Sequence, residues 1–112
     1  MTSAGSTRVI PTYGAVSAAK AALEAHIRQL AFELGAKGVR VNAIRAGVTD
    51  TPALRKIPGN ERLIEHARSR NPSGRATRPE DVASAIAVLS LPGTHWISGD
   101  VIGVDGGEDI VA

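Results

Sequence analysis

The sequence has no cysteine. That removes disulfide bridges, thiolate zinc sites and cysteine nucleophiles. Aromatic residues make up 3% of the chain, with one Trp, one Tyr and one Phe. Charge of one sign is equally scarce: 13 Lys+Arg stand against 11 Asp+Glu, a formal net charge of +2. A nucleic-acid surface of stacked rings on a basic stripe is therefore not expected. Long apolar runs are missing too. The stretch from Ala83 to Leu91 is broken by Ser84 and Ser90, far short of the roughly 18 apolar residues a membrane span needs. Met1 to Ser6 shows no basic segment followed by an apolar one, so no signal peptide is expected. These absences lead to the expectation of a cytoplasmic protein with no membrane or nucleic-acid partner.

Metal chemistry finds little support. The three His residues, His26, His66 and His95, have no second His or carboxylate at metal-ligand spacing. No metal site is expected. Glycine occurs 12 times, yet neither G-x-G-x-x-G nor G-x-x-x-x-G-K-[ST] is present. Asp105-Gly106-Gly107 has no following helix to offer a phosphate and reads as a turn.

What is present is an alternation of helix and strand over 112 residues, enough for one domain. Met1 to Pro11 reads as a loop. Leu23, Ile27, Leu30 and Leu34 recur at a helix period. With many alanines around them, they predict a long helix from about Gly14 to Leu34, stopped by Gly35 and Gly38. Val39 to Ile44 is short, β-branched and bounded by glycines, which predicts a strand. The turn-rich stretch from Ala46 to Gly74 holds a weaker helix near Glu61 to Arg68. Thr77-Arg78-Pro79-Glu80 has the capping-box pattern, with Thr77 as N-cap of a helix to about Leu89. Val101 to Val104 predicts a second strand. A strand following a long helix suggests a parallel α/β crossover. Two strands are too few for an independently stable sheet, and the organisation resembles the end of something larger.

Tyr13 opens the long helix and Lys20 follows seven residues later. Seven steps of about 100° return to nearly the same face. A phenol held near a cation can hydrogen-bond or protonate an oxygen that turns negative in a transition state. By spacing alone, the pair reads more often as accident than as function.

The surrounding residues add to it. Ser3 to Tyr13, Ser17-Ala-Ala-Lys20, Gly38-Val-Arg-Val-Asn-Ala-Ile44 and Ala46-Gly47 resemble the short-chain dehydrogenase/reductase family. So do Gly74-Arg75, Pro79-Glu80-Asp81-Val82, Ser98-Gly99-Asp100 and Val104-Asp105-Gly106-Gly107, in the family's order and at its intervals. The commoner family spacing is Tyr-x3-Lys, and here Ser17 stands at that Lys position. Tyr-x6-Lys, Arg8-Val-Ile-Pro-Thr-Tyr13 and Thr49-Asp50-Thr51-Pro52 resemble the enoyl-acyl-carrier-protein reductase branch.

The resemblance implies an α/β fold, the C-terminal part of a Rossmann-type doubly wound parallel sheet. Residues 1–112 would form the C-terminal part of one NAD(P)-binding reductase domain, without its Gly-rich half. Tyr13 would hydrogen-bond the substrate thioester oxygen. Lys20 would hold the nicotinamide ribose of NADH or NADPH and support Tyr13. Gly47, Val48, Thr49 and Thr51 would lie beside the nicotinamide, and Thr51 to about Arg70 would form a substrate lid. Ser3 stands where many enoyl reductases carry a second Tyr, and it can still donate to a carbonyl. The substrate would be an acyl thioester on acyl carrier protein, in fatty-acid biosynthesis. The alternatives are a small carbonyl compound, handled by a carbonyl reductase or alcohol dehydrogenase of the same family, and a truncated, non-catalytic fragment. Pairing of copies through the long helix would make a homo-oligomer.

Overall fold

The computed structural model describes residues 1–111. Its elements are helix α1 (Gly14–Gly35), strand β1 (Ala43–Ala46), helices α2 (Asn60–Arg70) and α3 (Pro79–Leu89), and strand β2 (Val101–Val104). Short 3-10 turns occupy Ala4–Ser6, Leu54–Lys56, Pro92–Thr94 and Glu108–Ile110.

β1 and β2 pair in parallel, with Ala43 opposite Val101 and Ala46 opposite Val104. A parallel pair needs a crossover, and α2 and α3 lie within it, with α3 touching both strands. Thr2 adds a single parallel bridge to Arg45 on the other side of β1, where its N–H donates to the Ile44 carbonyl at 2.8 Å. This anchors the N-terminal segment at the sheet, alongside α1.

The expected strand begins four residues late. Val39 to Asn42 join no ladder, and partners from the Ile97 to Asp100 loop take the place of a strand there. Asn42 Nδ2 donates to the Ile97 carbonyl at 2.8 Å, and Gly99 N–H donates to the Val41 carbonyl at 2.7 Å. The N-terminus of α3 also departs from expectation by one residue. Pro79 takes the first helical position, which suits its fixed φ and missing N–H, and so Arg78 becomes the N-cap. Asp81, not Glu80, closes the cap by accepting the Arg78 N–H at 2.8 Å.

The apolar core is small: Ala43, Ile44, Ala67 and Val82 are its buried residues. Thr2, Glu24, Asn71 and Thr77 are buried beside them. Each of these buried polar residues joins elements. Asn71 Nδ2, at the end of α2, donates to the Asp105 carbonyl at 2.6 Å and so fixes the turn before Gly106 and Gly107. Both glycines adopt positive φ, 65° and 89°, as a tight reversal after β2 requires.

Candidate functional site

The inward line of α1 is polar at its start and apolar at its end. Tyr13, Ser17, Lys20, Glu24, Ile27, Ala31 and Leu34 recur at alternating intervals of four and three, and all are at least half-buried. Leu30, expected on this face, is 40% exposed. The helix therefore devotes its first turns to polar contacts and its last to packing.

Tyr13 is the N-cap residue of α1. Its ring lies against Gly5, where an added Cβ would stand 2.8 Å from Tyr13 Cδ1 and 2.9 Å from Ser17 Oγ. The absence of a side chain at Gly5 is what lets the ring sit there. Thr12, just before it, has φ 64° and is the one non-glycine residue with positive φ among those described. A β-branched residue in that region costs about 1–3 kcal/mol and is held only where the surroundings demand it. The chain spends that strain on the residue next to Tyr13.

Lys20 Nζ donates to the Met1 carbonyl at 3.1 Å. An ammonium has three donors, so two remain for another partner. Ser3 Oγ is buried with no hydrogen-bond partner. A buried hydroxyl left unpaired costs free energy, and its free donor suits a carbonyl oxygen. One turn further along α1, Glu24 accepts Thr2 Oγ1–H at 2.6 Å. Burial raises the Glu24 carboxyl, but the Ser6 and Thr2 hydroxyls with the Arg45 and Arg28 charges outweigh it and hold the group below its ordinary range.

The second group of residues forms the turn after β1. Gly47 N–H donates to the Val104 carbonyl at 3.2 Å, prolonging the ladder by one bond. Thr49 Oγ1 donates to the Gly47 carbonyl at 2.8 Å, and Thr49 makes a parallel bridge to Thr77. Thr51 Oγ1 accepts the Leu54 N–H at 3.2 Å, leaving its own proton free. Asp50 and Arg55 pair through two bonds of 2.8 and 3.0 Å.

A cavity of ≈ 170 Å³ joins the N-terminal segment to this turn. Ala4 and Arg8 line it on one side, Gly47 and Val48 on another, and Leu63 and His66 of α2 on a third. Tyr13, Lys20, Ser3, Thr49 and Thr51 do not line it. The expected site residues thus fall into two groups: Tyr13 and Lys20 on the inward line of α1 with Ser3 in the segment before it, and Gly47, Val48, Thr49 and Thr51 on the turn.

Glu108, Asp109 and Gly5 were not singled out by sequence reasoning. Glu108 reaches the same cavity from the C-terminal turn, and its carboxylate accepts the Val48 N–H at 3.1 Å. Asp109 pairs with Arg8 at 3.0 Å and Arg45 at 2.9 Å, and so ties the C-terminal turn to β1 and the N-terminal segment. Among the described residues, no cluster of three metal-ligating side chains exists, and no helix is long and apolar enough to cross a membrane.

A two-stranded parallel sheet with helices in its crossover and a long helix beside it is a piece of a Rossmann-type α/β fold. The chain belongs to the enoyl-(acyl carrier protein) reductase family, whose model matches residues 1–108, within the short-chain dehydrogenase/reductases. It is 41% identical to the enoyl-[acyl-carrier-protein] reductase [NADH] FabI of Escherichia coli over 108 residues, 96% of this chain and 41% of that protein. It is also 41% identical to the cis-4-hydroxycyclohexanecarboxylate dehydrogenase of Sinomonas cyclohexanicum over 95 residues, 85% of this chain and 37% of that protein. Among solved structures, it superposes on the Bacillus cereus enoyl-acyl carrier protein reductase, a complex with NADP+ and indole naphthyridinone, with a TM-score of 0.94 at 33% identity. That match covers 99% of this chain and 43% of the Bacillus chain. The chain thus spans about two fifths of the length of the proteins it matches.

Proposed function

We propose that this protein reduces the carbon–carbon double bond of an enoyl thioester on acyl carrier protein, using NADH or NADPH, in the cytoplasm. Residues 1–112 supply the C-terminal part of the reductase domain in this reading, and copies pair through α1. The observation that carries it is the polar start of α1: Tyr13 and Lys20 share the inward line, and Ser3 Oγ, in the segment before it, is buried and unpartnered.

The residues present fit the nicotinamide end of the cofactor. Two free donors on Lys20 suit ribose hydroxyls, and the Gly47 to Thr51 turn offers the free Thr51 hydroxyl proton. The nicotinamide, when bound, supplies a hydride to the β-carbon of the substrate. Tyr13 places its phenol hydrogen on the thioester oxygen, where negative charge develops, and this is where a preorganised donor gives most. Ser3 donates to the same oxygen. Lys20 orients the ribose and keeps positive charge near the phenol. The segment from Thr51 to Arg70 closes over the acyl chain.

A ketone or secondary alcohol is the second reading. The Ser3 hydroxyl favours it, as does the likeness to the Sinomonas dehydrogenase. The ratio of kcat/KM for crotonyl and acetoacetyl thioesters on one carrier, measured with the full-length protein, decides. The expected ratio favours crotonyl. A tenfold preference for acetoacetyl, about 1.4 kcal/mol in transition-state binding, replaces the enoyl reading with the ketone one. Tyr13→Phe is expected to lower kcat at least about tenfold. A loss within about threefold, under about 1 kcal/mol, removes Tyr13 from the chemistry.

A further inference from the structure

Glu108 brings a carboxylate to the turn after β1. It sits on the short turn after β2, half-buried, with its carboxylate in the ≈ 170 Å³ cavity. Both carboxylate oxygens face the Val48 N–H, at 3.1 and 3.4 Å. Gly47 is open to it: a Cβ there would stand 2.7 Å from Glu108 Oε2 and 2.5 Å from Thr77 Oγ1. The strand end has no room for a side chain because the Glu108 carboxylate and the Thr77 hydroxyl fill that place.

The surroundings do not favour a carboxylate. Burial pushes the Glu108 carboxyl above its ordinary range, and Asp105 and Asp109 push it further. The Val48 N–H and His66 act the other way without reversing the shift. Arg8, Arg45 and Arg70 line the same cavity without hydrogen-bonding Glu108, and Arg45 Nε is buried with no hydrogen-bond partner. Arg8 and Arg45 pair with Asp109, and Arg70 donates to the Val111 carbonyl at 2.6 Å. A neutral side chain would avoid the repulsion. A half-buried carboxylate held at the rim of a cavity in surroundings that disfavour its charge points to a task other than packing.

We infer that Glu108 is a positioning residue: its carboxylate holds the Val48 N–H and thereby sets the path of the Gly47 to Thr49 turn that receives the nicotinamide. This rests on the reading proposed above, which places the cofactor at that turn. The other anchors of the turn are the Gly47 N–H on β2 and the Thr49 bridge to Thr77. Val48 lies between them, and Glu108 is the side chain that fixes it.

The test has two readouts on the full-length protein. The first is the Val48 amide followed by NMR. In the wild type, its proton shift should titrate with a midpoint above 4.5, the ordinary value of a Glu carboxyl. Glu108→Gln should abolish the titration and keep the amide protected. Glu108→Ala should raise its hydrogen exchange at least about tenfold. A Val48 amide that ignores both pH and Glu108→Ala overturns the assignment. The second readout is cofactor binding. Glu108→Ala should raise the nicotinamide dinucleotide KM at least about fivefold with kcat within about twofold, and Glu108→Gln should recover most of that loss. An unchanged KM in Glu108→Ala also overturns the inference. If the wild type binds no dinucleotide, the reductase reading fails, and the Val48 amide still decides whether Glu108 sets the turn.

Discussion

Thr2 and Glu24 share a 2.6 Å hydrogen bond that places a carboxylate, 8% exposed, under the N-terminal strand-like segment. A buried carboxylate is tolerable only with donors around it. Thr2 is one of them, and the same residue bridges to Arg45 of the sheet. Helix α1 and the sheet are therefore joined through one threonine.

Thr2→Val keeps the shape and the backbone bridge but removes the donor. The expected loss is about 2 kcal/mol, the usual scale for a hydrogen bond to a charged partner. The pH dependence follows from the depressed Glu24 carboxyl. Its contribution is present above the unfolded value of 4.5 and is lost as pH falls through the lower folded value. In Thr2→Val the folded value moves up, so acid unfolding should begin at higher pH. Denaturant titrations at pH 7 and pH 4 measure both effects. An unchanged acid limb would show that Thr2 does not support Glu24.

Gly5→Ala is expected to harm turnover as well as stability. The new Cβ would press on the Tyr13 ring at 2.8 and 2.9 Å, and a ring cannot yield as a flexible chain end does. Overpacking of this kind costs about 1–3 kcal/mol. Displacing a reacting group by a fraction of an ångström also lowers the rate, and a loss of at least about tenfold in kcat, about 1.4 kcal/mol, is expected. Thermal melting beside steady-state kinetics separates the two losses. Equal kcat in a destabilised variant would mean that the Tyr13 ring position is not critical.

Glu108→Gln should stabilise the fold at neutral pH. A raised carboxyl binds its proton more tightly when folded. Stability is therefore lost as pH rises from 4.5 through the folded value, and the loss persists above it. The amide has no proton to lose and avoids that cost. Melting temperatures of the two proteins should coincide below pH 4.5 and separate in favour of the variant above it. A variant less stable than wild type at pH 7 would show that the charge helps the fold.

Much of this fold was legible in the sequence, for identifiable reasons. The alanines and the Leu/Ile period announced α1, and the two glycines after Asp105 announced their turn. β2 was bounded as expected. What failed depended on neighbours. Val39 and Arg40 have strand-like composition, but Arg40 turns to the Leu89 and Thr94 carbonyls, and no strand lies beside them. Thr77 lost the cap to Arg78 because a proline fixes its own place in the helix. Leu30 follows the period yet faces out, since the inward line of α1 was written partly in Ser, Lys and Glu. The proposed site was read as residue types, Tyr13 and Lys20 on α1 and Gly47 to Thr51 at the turn. Glu108 was not, because a carboxylate after a turn reads as a solvated charge, and only the fold brings it to the Val48 N–H.

The line from Tyr13 to Lys20 carries a consequence for how such a helix can change over evolutionary time. At about 1.5 Å per residue, the two side chains start some 10 Å apart, and the backbone admits no intermediate spacing. Inserting one residue between them would swing Lys20 by about 100° and take it off the inward line. Moves of three or four residues nearly restore the direction; single steps do not. An interval of four and an interval of seven are therefore neighbouring solutions with nothing viable between them. Exchanging one interval for the other means moving the lysine by almost a full helical turn, from or to the position that Ser17 holds here.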